Sequence, residues 1–208
     1  MEDRGSPGIP NGWYAVGWSK DLGVGDVQRI RYFENDMVLF RTRSGVARVL
    51  DAYCPHLGAH LAEGGRVQGE SVRCPFHGWE YDGKSGECAK IPYCARIPAK
   101  ARVRAWDVCE LNHMIFVWHH AEGKAPSWEV PAATQYGDAD WSPVRTFEIE
   151  VPVHIQDMAE NNLDPVHFEY VHKMSGTPDT EISFEKDGRV LNAVSYSTQE
   201  TPVGTFDM

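Results

Sequence analysis

The sequence has 208 residues, of which 42% are hydrophobic and 24% are charged, and its formal net charge is −10. This composition fits one globular domain of ordinary size or two small ones, and its acidity disfavours nucleic acid as a partner. Because no apolar run approaches the roughly 20 residues of a membrane helix, and the polar first dozen residues carry no secretory signal, we expect a cytoplasmic protein without an integral membrane segment.

Segments rich in β-branched and aromatic residues predict an all-β domain with a core over residues 13–120. Turn sequences such as GVGD and DGKSG separate these segments. The predicted strands are GWYAVGW (12–18), VQRIRYF (27–33), MVLFRTR (37–43), VARVLDAY (46–53), VRAWDVCEL (103–111) and HMIFVWHH (113–120). A proline-containing stretch without periodicity follows, so we predict a domain boundary near residue 125, with domains 1–125 and 126–208.

The second domain is predicted to mix strand and helix. Residues 144–152 alternate like a strand, and residues 153–174 form the longest helical candidate. Residues 180–198 predict a hairpin that turns around Asp187-Gly188.

A doubled motif supplies the clearest chemistry. Residues 54–60 read CPHLGAH and residues 74–81 read CPFHGWEY, so Cys54 and His56 are followed by Cys74 and His77. Two thiolates and two imidazoles fit either a structural zinc site or a two-iron two-sulfur cluster. The glycines and prolines of both stretches suit tight loops that bring backbone N–H groups towards sulfur, and Trp79 is placed to shield a cluster from water, so the iron alternative is favoured.

The cysteine count agrees with a metal role rather than a disulfide framework. The chain has five cysteines, an odd number, and no export signal. In a reducing compartment such cysteines serve more often as metal ligands or small buried side chains.

This pair of Cys-x-His and Cys-x-x-His motifs resembles the signature of the Rieske proteins. Rieske proteins of respiratory complexes carry a further cysteine in each loop, joined by a disulfide, whereas this chain has Ala59 and Phe76 there. The loops therefore resemble those of Rieske non-haem iron oxygenases and their ferredoxins. The resemblance implies that Cys54, His56, Cys74 and His77 bind a 2Fe-2S cluster whose potential lies in the lower part of the Rieske range.

Two more histidines lie in the helical candidate. His167 and His172 are five residues apart, so they point about 140° away from each other on an ideal helix. They converge only if the helix is distorted, and Pro165 supplies a cause. From the residues alone, two unrelated helical histidines beside a proline remain an equal alternative.

The resemblance gives these residues roles. Rieske oxygenases carry Asp-x-x-His-x-x-x-x-His, which Asp164, His167 and His172 match. It implies that His167 and His172 are two ligands of a mononuclear Fe(II) site of the 2-His-1-carboxylate type. It also implies that Asp164 is a catalytic carboxylate, linking an iron-bound histidine to a cluster histidine of the neighbouring subunit in a homotrimer.

The third iron ligand of the family is an aspartate on a later helix. No acidic residue after His172 stands in such a context: the candidates are Asp179, Glu181, Glu185, Asp187 and Asp207. We therefore expect a mixed fold, an all-β Rieske domain (1–125) followed by the incomplete start of an α+β helix-grip (START-like) catalytic domain (126–208). Such a chain should hold the cluster well and the mononuclear iron poorly.

The segments between the ligands resemble the steroid-acting branch of the family. This branch includes cholesterol 7-desaturases and the oxygenase component of 3-ketosteroid 9α-hydroxylase, and the segments Ile91-Pro92-Tyr93 and Trp128-Glu129-Val130-Pro131 weigh most. The resemblance implies a terminal oxygenase that takes O2 and electrons from an NAD(P)H-dependent reductase or a ferredoxin. Its reaction would be hydroxylation or desaturation of a steroid-like hydrophobic substrate.

Three alternatives stay open at this point. One is an oxygenase that acts on an aromatic ring or another small molecule. The second is a ferredoxin-type electron carrier, which would have no use for Asp164, His167 and His172. The third is a structural zinc module, which would be colourless.

Overall fold

The computed structural model describes residues 8–136, 138–185, 188, 190–201 and 204–207. Contacts divide the chain into two compact units, with the first ending at Val144 and the second beginning at Arg145. The division falls later than residue 125 because the following stretch contacts the first unit. For example, Trp13 Nε1 donates to Trp128 O (2.9 Å) and Asn112 Nδ2 donates to Pro131 O (2.9 Å). The extent of each domain stays a prediction.

The first unit is built from antiparallel strands, as the sequence predicts. They form three sheets with the strand orders β1-β10-β9, β2-β3-β4 and β5-β6-β7-β8. The strands are β1 Gly12–Trp18, β2 Val27–Tyr32, β3 Asn35–Arg41, β4 Ala47–Asp51, β5 Arg66–Gln68, β6 Ser71–Arg73, β7 Glu80–Asp82, β8 Cys88–Lys90, β9 Val108–Leu111 and β10 Met114–His119.

Strand β3 separates two hydrophobic cores. Its side chains alternate between the two faces of the sheet, and both faces are apolar. Met37 and Leu39 join one core with the inward residues of β10, whereas Val38 and Phe40 join the other. This second core contains Cys54 and Cys74, so the doubled motif is anchored in the hydrophobic interior of the unit.

Two short connections carry the doubled motif. The first cysteine loop (residues 54–60) follows β4, and the second cysteine loop (residues 74–81) leaves β6 and runs into β7. The sequence predicts both as loops, and the structure agrees. It does not predict β5 to β8, because strands of three residues are too short to show periodicity. The predicted strand over 103–111 begins only at Val108.

The second unit contains α1 Ile155–Asn162, α2 Val166–Tyr170, and the hairpins β11 Asp179–Glu185 with β12 Val190–Tyr196 and β13 Thr198–Thr201 with β14 Gly204–Asp207. The hairpin predicted over 180–198 is confirmed as β11–β12, and Gly188 has φ of +81° in its turn. Asp187 lies outside the described residues. Among the described helices, none is long and apolar enough to cross a membrane.

The strand predicted over residues 144–152 is wrong. This segment has no regular secondary structure, and its apolar side chains are exposed, with Phe147 at 82% and Ile149 at 73%. An alternating pattern becomes a strand only where a partner accepts its backbone hydrogen bonds. No strand in the described part of the chain pairs with it.

Candidate iron centres

The two cysteine loops have the same backbone conformation. In each loop the cysteine carbonyl accepts from the N–H of the glycine four residues later: Gly58 to Cys54 at 2.8 Å, and Gly78 to Cys74 at 3.1 Å. The two glycines have φ of +74° and +72°, a region that favours glycine. The repeated sequence therefore folds into two matching turns, each presenting one cysteine and one histidine.

The two cysteine sulfurs lie close together inside the core. Cys54 is 3% exposed and Cys74 is 2% exposed. Burial raises the pKa of the Cys74 thiol and the neighbouring Cys54 adds to this, while backbone N–H groups of Phe76 and His77 donate to the sulfur and lower it. Two buried thiolates need a positive partner, which a metal centre would supply.

The two imidazoles meet on the outer side of the thiols. The ring centroids of His56 and His77 are 4.6 Å apart, with the planes inclined at 71°. The Nδ1 atom of His56 is buried and has no hydrogen-bond partner among the described residues. A buried ring nitrogen without a partner is costly unless it binds a metal, so this donor set fits the cluster that the motif implies.

Three aromatic side chains surround these donors. The Trp79 indole stacks on His56, with centroids 4.6 Å apart and planes 8° apart, and its Nε1 donates to the Tyr93 hydroxyl at 2.8 Å. Trp79 is 8% exposed and covers one face of the imidazole, while its shielding of a cluster from water stays a prediction. The fully buried Tyr81 places its hydroxyl 3.0 Å from Cys54 Sγ.

Tyr81 acts as a fixed hydrogen-bond donor to sulfur. Burial, and after it the contact with Cys54, raises the pKa of Tyr81 far above its usual value. The hydroxyl therefore keeps its proton and donates to Cys54 whenever that sulfur is a thiolate. Sequence reasoning missed Tyr81 and the hydroxyl of Tyr93, because β7, which carries Tyr81, is too short for the sequence to predict.

A zinc site and a Rieske cluster need different numbers of protein donors around one metal. In the described ranges, no three His, Cys, Asp or Glu side chains are placed around a single ion. A structural zinc needs four donors around one point, whereas each iron of a Rieske cluster takes two protein donors.

The second histidine pair also comes together. The ring centroids of His167 and His172 are 5.2 Å apart. His167 Nδ1 lies 2.5 Å from the carbonyl oxygen of Asp164. Because a carbonyl can only accept, Nδ1 carries the proton and Nε2 is left with its lone pair for a metal.

The convergence of this pair has a cause other than the predicted one. The helix does break before Pro165, which separates α1 from α2. Both histidines follow Pro165, however, so this break cannot alter their relative direction. Instead α2 ends at Tyr170, so His172 lies beyond the last helical residue. His172 thus leaves the helical path that would have kept the two rings apart.

Asp164 has a local role in this structure. Its Oδ1 accepts from the N–H of Val166 at 3.0 Å, which satisfies a free donor at the start of α2. The three acidic residues of β11 that could have supplied a third ligand, Asp179, Glu181 and Glu185, are exposed. Asp187 and the Asp207 side chain lie outside the described structure.

Comparison with protein families bears on these alternatives. Residues 12–106 match the Rieske [2Fe-2S] domain, and residues 117–201 match the C-terminal domain of 3-ketosteroid 9alpha-hydroxylase. The chain belongs to the Rieske oxygenases. Members of this family use two iron cofactors, the 2Fe-2S cluster and a mononuclear iron, and the two histidine pairs described above fall in the corresponding domains.

Relatives of this Rieske oxygenase chain are sterol and steroid enzymes. Cholesterol 7-desaturase nvd of Xenopus laevis is 38% identical over 197 residues, which is 95% of this chain and 43% of the relative. The probable 3-ketosteroid-9-alpha-monooxygenase oxygenase component of Rhodococcus rhodochrous is 40% identical over 164 residues, 77% of this chain and 41% of the relative. The chain thus spans less than half the length of these relatives.

Solved structures of other proteins share the fold. Dicamba monooxygenase bound to dicamba is 25% identical with a TM-score of 0.71, covering 89% of this chain and 56% of that one. The caffeine complex of NdmA from Pseudomonas putida is 20% identical with a TM-score of 0.72, covering 94% and 60%. At 20% identity, the latter likeness concerns the fold alone.

Proposed function

We propose that this chain belongs to a terminal oxygenase that uses O2 and external electrons to hydroxylate or desaturate a steroid-like hydrophobic substrate. The supporting observation is the combination of two matched cysteine loops with a second domain of the 3-ketosteroid 9alpha-hydroxylase type. The cholesterol 7-desaturases and the steroid monooxygenase component among its relatives point to the same substrate class.

In this proposal the cysteine loops hold the 2Fe-2S cluster. Cys54 and Cys74 would bind one iron, and His56 and His77 would bind the other. The cluster supplies single electrons when bound. Tyr81 donates its hydroxyl proton towards Cys54 and so favours the more negative, reduced state. Trp79 keeps water from His56.

His167 and His172 would bind the mononuclear iron, which supplies O2 activation when bound. The bond from His167 Nδ1 to the Asp164 carbonyl fixes that ring and aims Nε2 away from the backbone. Asp164 would link an iron-bound histidine to a cluster histidine of a neighbouring subunit in a homotrimer. Its Oδ1 already accepts a backbone N–H, which restricts its rotation.

The electron donor in this proposal is an NAD(P)H-dependent reductase or a ferredoxin. A cytoplasmic location is supported by the five cysteines, all of which are unpaired thiols. The identity of the electron donor and the cellular location can each be tested independently of the oxygenase reaction.

The cofactor is tested on the full chain purified without oxygen. We expect two iron atoms and two acid-labile sulfides per chain, a red-brown colour, and loss of the colour in Cys54→Ser. Cys94→Ser is the matched control, because Cys94 is exposed and lies outside both loops. Zinc in place of iron and sulfide would contradict the proposal.

The oxygenase role is tested through the second histidine pair. With a compatible reductase, the complete enzyme should turn over sterols or 3-ketosteroids in preference to aromatic acids. His167→Ala should abolish product formation and leave the cluster spectrum unchanged. An electron carrier of the ferredoxin type would instead reduce an acceptor protein equally well with or without His167.

A further inference from the structure

Residues 91–93, an Ile-Pro-Tyr segment that stands out in the sequence, form part of a turn next to the second cysteine loop. Ile91 is 6% exposed and belongs to the same hydrophobic core as the cysteines of both loops. The N–H of Cys94 donates to the Ile91 carbonyl at 3.2 Å and closes the turn. The buried isoleucine thus anchors the turn, and the two residues after it are held beside the loop.

Pro92 and Tyr93 both contact the second cysteine loop. A Cβ at Gly78 would lie 3.1 Å from Pro92 Cγ, so the proline ring packs against the turn of the loop. The Tyr93 hydroxyl accepts from Trp79 Nε1 at 2.8 Å, which is a short, well-formed hydrogen bond. Because Tyr93 is 63% exposed and Trp79 only 8%, the contribution of Tyr93 lies in this contact rather than in the burial of its own ring.

Trp79 transmits this constraint to His56. The indole and the imidazole are nearly parallel, at 8°, with their centroids 4.6 Å apart. Trp79 belongs to the second cysteine loop and His56 to the first, so the stack joins the two loops. Rings in such close contact restrict each other's tilt. The plane of the His56 ring therefore follows the plane of the indole, which the Tyr93 hydroxyl fixes at its N–H.

The second proposed histidine ligand has a different aromatic neighbour. The His77 ring packs against Phe76 of its own loop, with centroids 4.1 Å apart and planes inclined at 40°, and Phe76 is 61% exposed. A ligating histidine depends on its outer contacts for its orientation. The two ligands should therefore respond differently to a change at Tyr93, which reaches His56 through Trp79.

We propose that Tyr93 is a positioning residue for the iron–sulfur site: through Trp79 it fixes the His56 ring so that the buried Nδ1 is directed towards iron. This nitrogen has no hydrogen-bond partner among the described residues, so its direction decides what it can bind. The proposal rests on the function proposed above, since it presupposes the cluster. All of these contacts lie within one chain, so the role does not require the histidine side to be free of a neighbouring subunit.

The test compares Tyr93→Phe with the unchanged full chain, both purified without oxygen. The substitution removes the acceptor oxygen, so the buried N–H of Trp79 loses its partner and the indole is released to tilt. Pulsed EPR of the dithionite-reduced cluster measures the hyperfine couplings of the two bound histidine nitrogens. We expect one coupling to change and the other to stay, and a chelator to remove the cluster roughly tenfold faster.

A second variant shows whether Tyr93 acts through Trp79. Trp79→Phe keeps a ring that can stack on His56 but removes the N–H, so it should change the same coupling. The double variant should then equal Trp79→Phe alone. The matched control is Tyr14→Phe, which also removes one hydroxyl hydrogen bond, to Pro10 O at 2.7 Å, but lies on β1 in a different sheet from β6 and β7. It should leave both couplings and the rate of cluster loss unchanged.

Three results would overturn the proposal. One is that Tyr93→Phe matches Tyr14→Phe in both couplings and in cluster loss. Another is faster cluster loss with unaltered couplings, which would give Tyr93 a purely structural role. The last is that the effects of Tyr93→Phe and Trp79→Phe add in the double variant, which would mean that Tyr93 acts through another contact. Failure of the proposed function is recognised separately, because the unchanged chain would then give no EPR signal of a reduced cluster.

Discussion

At the residue scale, the sulfurs of Cys54 and Cys74 differ in the groups that donate hydrogen bonds to them. Cys54 receives the hydroxyl of Tyr81 at 3.0 Å, whereas Cys74 receives backbone N–H groups of its own loop. Charge-assisted hydrogen bonds of this kind contribute more than neutral ones. They should be stronger to the reduced cluster, because reduction adds negative charge to the sulfurs.

Tyr81→Phe should therefore lower the midpoint potential of the cluster. We expect a fall of roughly 60 mV, equivalent to about 1.4 kcal/mol for a one-electron couple. The measurement is a redox titration followed by the visible spectrum. Tyr136→Phe, at a residue outside both loops, is the control and should leave the potential unchanged. An unaltered potential in Tyr81→Phe would mean that the hydroxyl does not bind the cluster sulfur.

The sequence predicts the proposed metal ligands but not the aromatic residue that contacts them, for a physical reason. Ligands such as Cys54 and His56 stand at fixed short spacings within one loop, so the sequence displays them directly. Tyr81 reaches Cys54 from a different loop, 27 residues away, and only the strand pairing brings them together. The assignments of all the ligands stay predictions until a metal is measured.

At the element scale, the two cysteine loops offer an internal comparison. Gly58 and Gly78 share nearly the same backbone angles, but their surroundings differ. A Cβ at Gly58 would meet nothing within 4 Å, whereas one at Gly78 would lie 3.0 Å from Arg73 and 3.1 Å from Pro92. A substitution at Gly58 therefore tests backbone strain alone, whereas one at Gly78 tests backbone strain together with steric crowding.

Gly58→Ala should cost only the strain of a left-handed conformation, about 1–2 kcal/mol. Gly78→Ala should cost about 1–3 kcal/mol more, because its neighbours must move. The thermal unfolding midpoint, with the cluster present, should thus be lowest for Gly78→Ala. Equal midpoints for the two variants would show that Arg73 and Pro92 yield without cost.

Strands could be predicted from the sequence where an alternation of apolar and polar side chains marks the buried face. Strands β1 to β4 and β10 are long enough to show their apolar faces, and their predictions are confirmed. Residues 144–152 carry the same pattern, but the hydrogen-bonding partner of a strand is a distant segment that the pattern does not contain. Conversely, β5 to β8 are stabilised by hydrogen bonds to the neighbouring strands of their sheet, and three residues are too few to show a pattern in the sequence.

At the scale of the whole molecule, the two units differ in how much they bury. The first has two hydrophobic cores. In the second, neither helix has a buried residue, and apolar side chains such as Phe184 (65% exposed) and Tyr170 (67% exposed) face outwards. Stability should therefore reside in the first unit.

Residues 1–144 alone should fold and assemble the cluster. We expect the same visible spectrum and a thermal midpoint within a few degrees of the longer chain, since the removed part contributes little buried apolar surface. Calorimetry and the visible spectrum of the two chains provide the comparison. Loss of the cluster in the shorter chain would show that the first unit depends on residues beyond Val144.

The stacking of Trp79 on His56 gives the molecule a built-in optical signal. An indole 4.6 Å from the imidazole lies close enough to the iron for its excited state to be quenched. The chain has seven tryptophans, but Trp79 alone among those described stacks on a proposed ligand. Its emission should therefore brighten as the centre is lost and dim as it is rebuilt, so the assembly of this protein can be followed by fluorescence without a label.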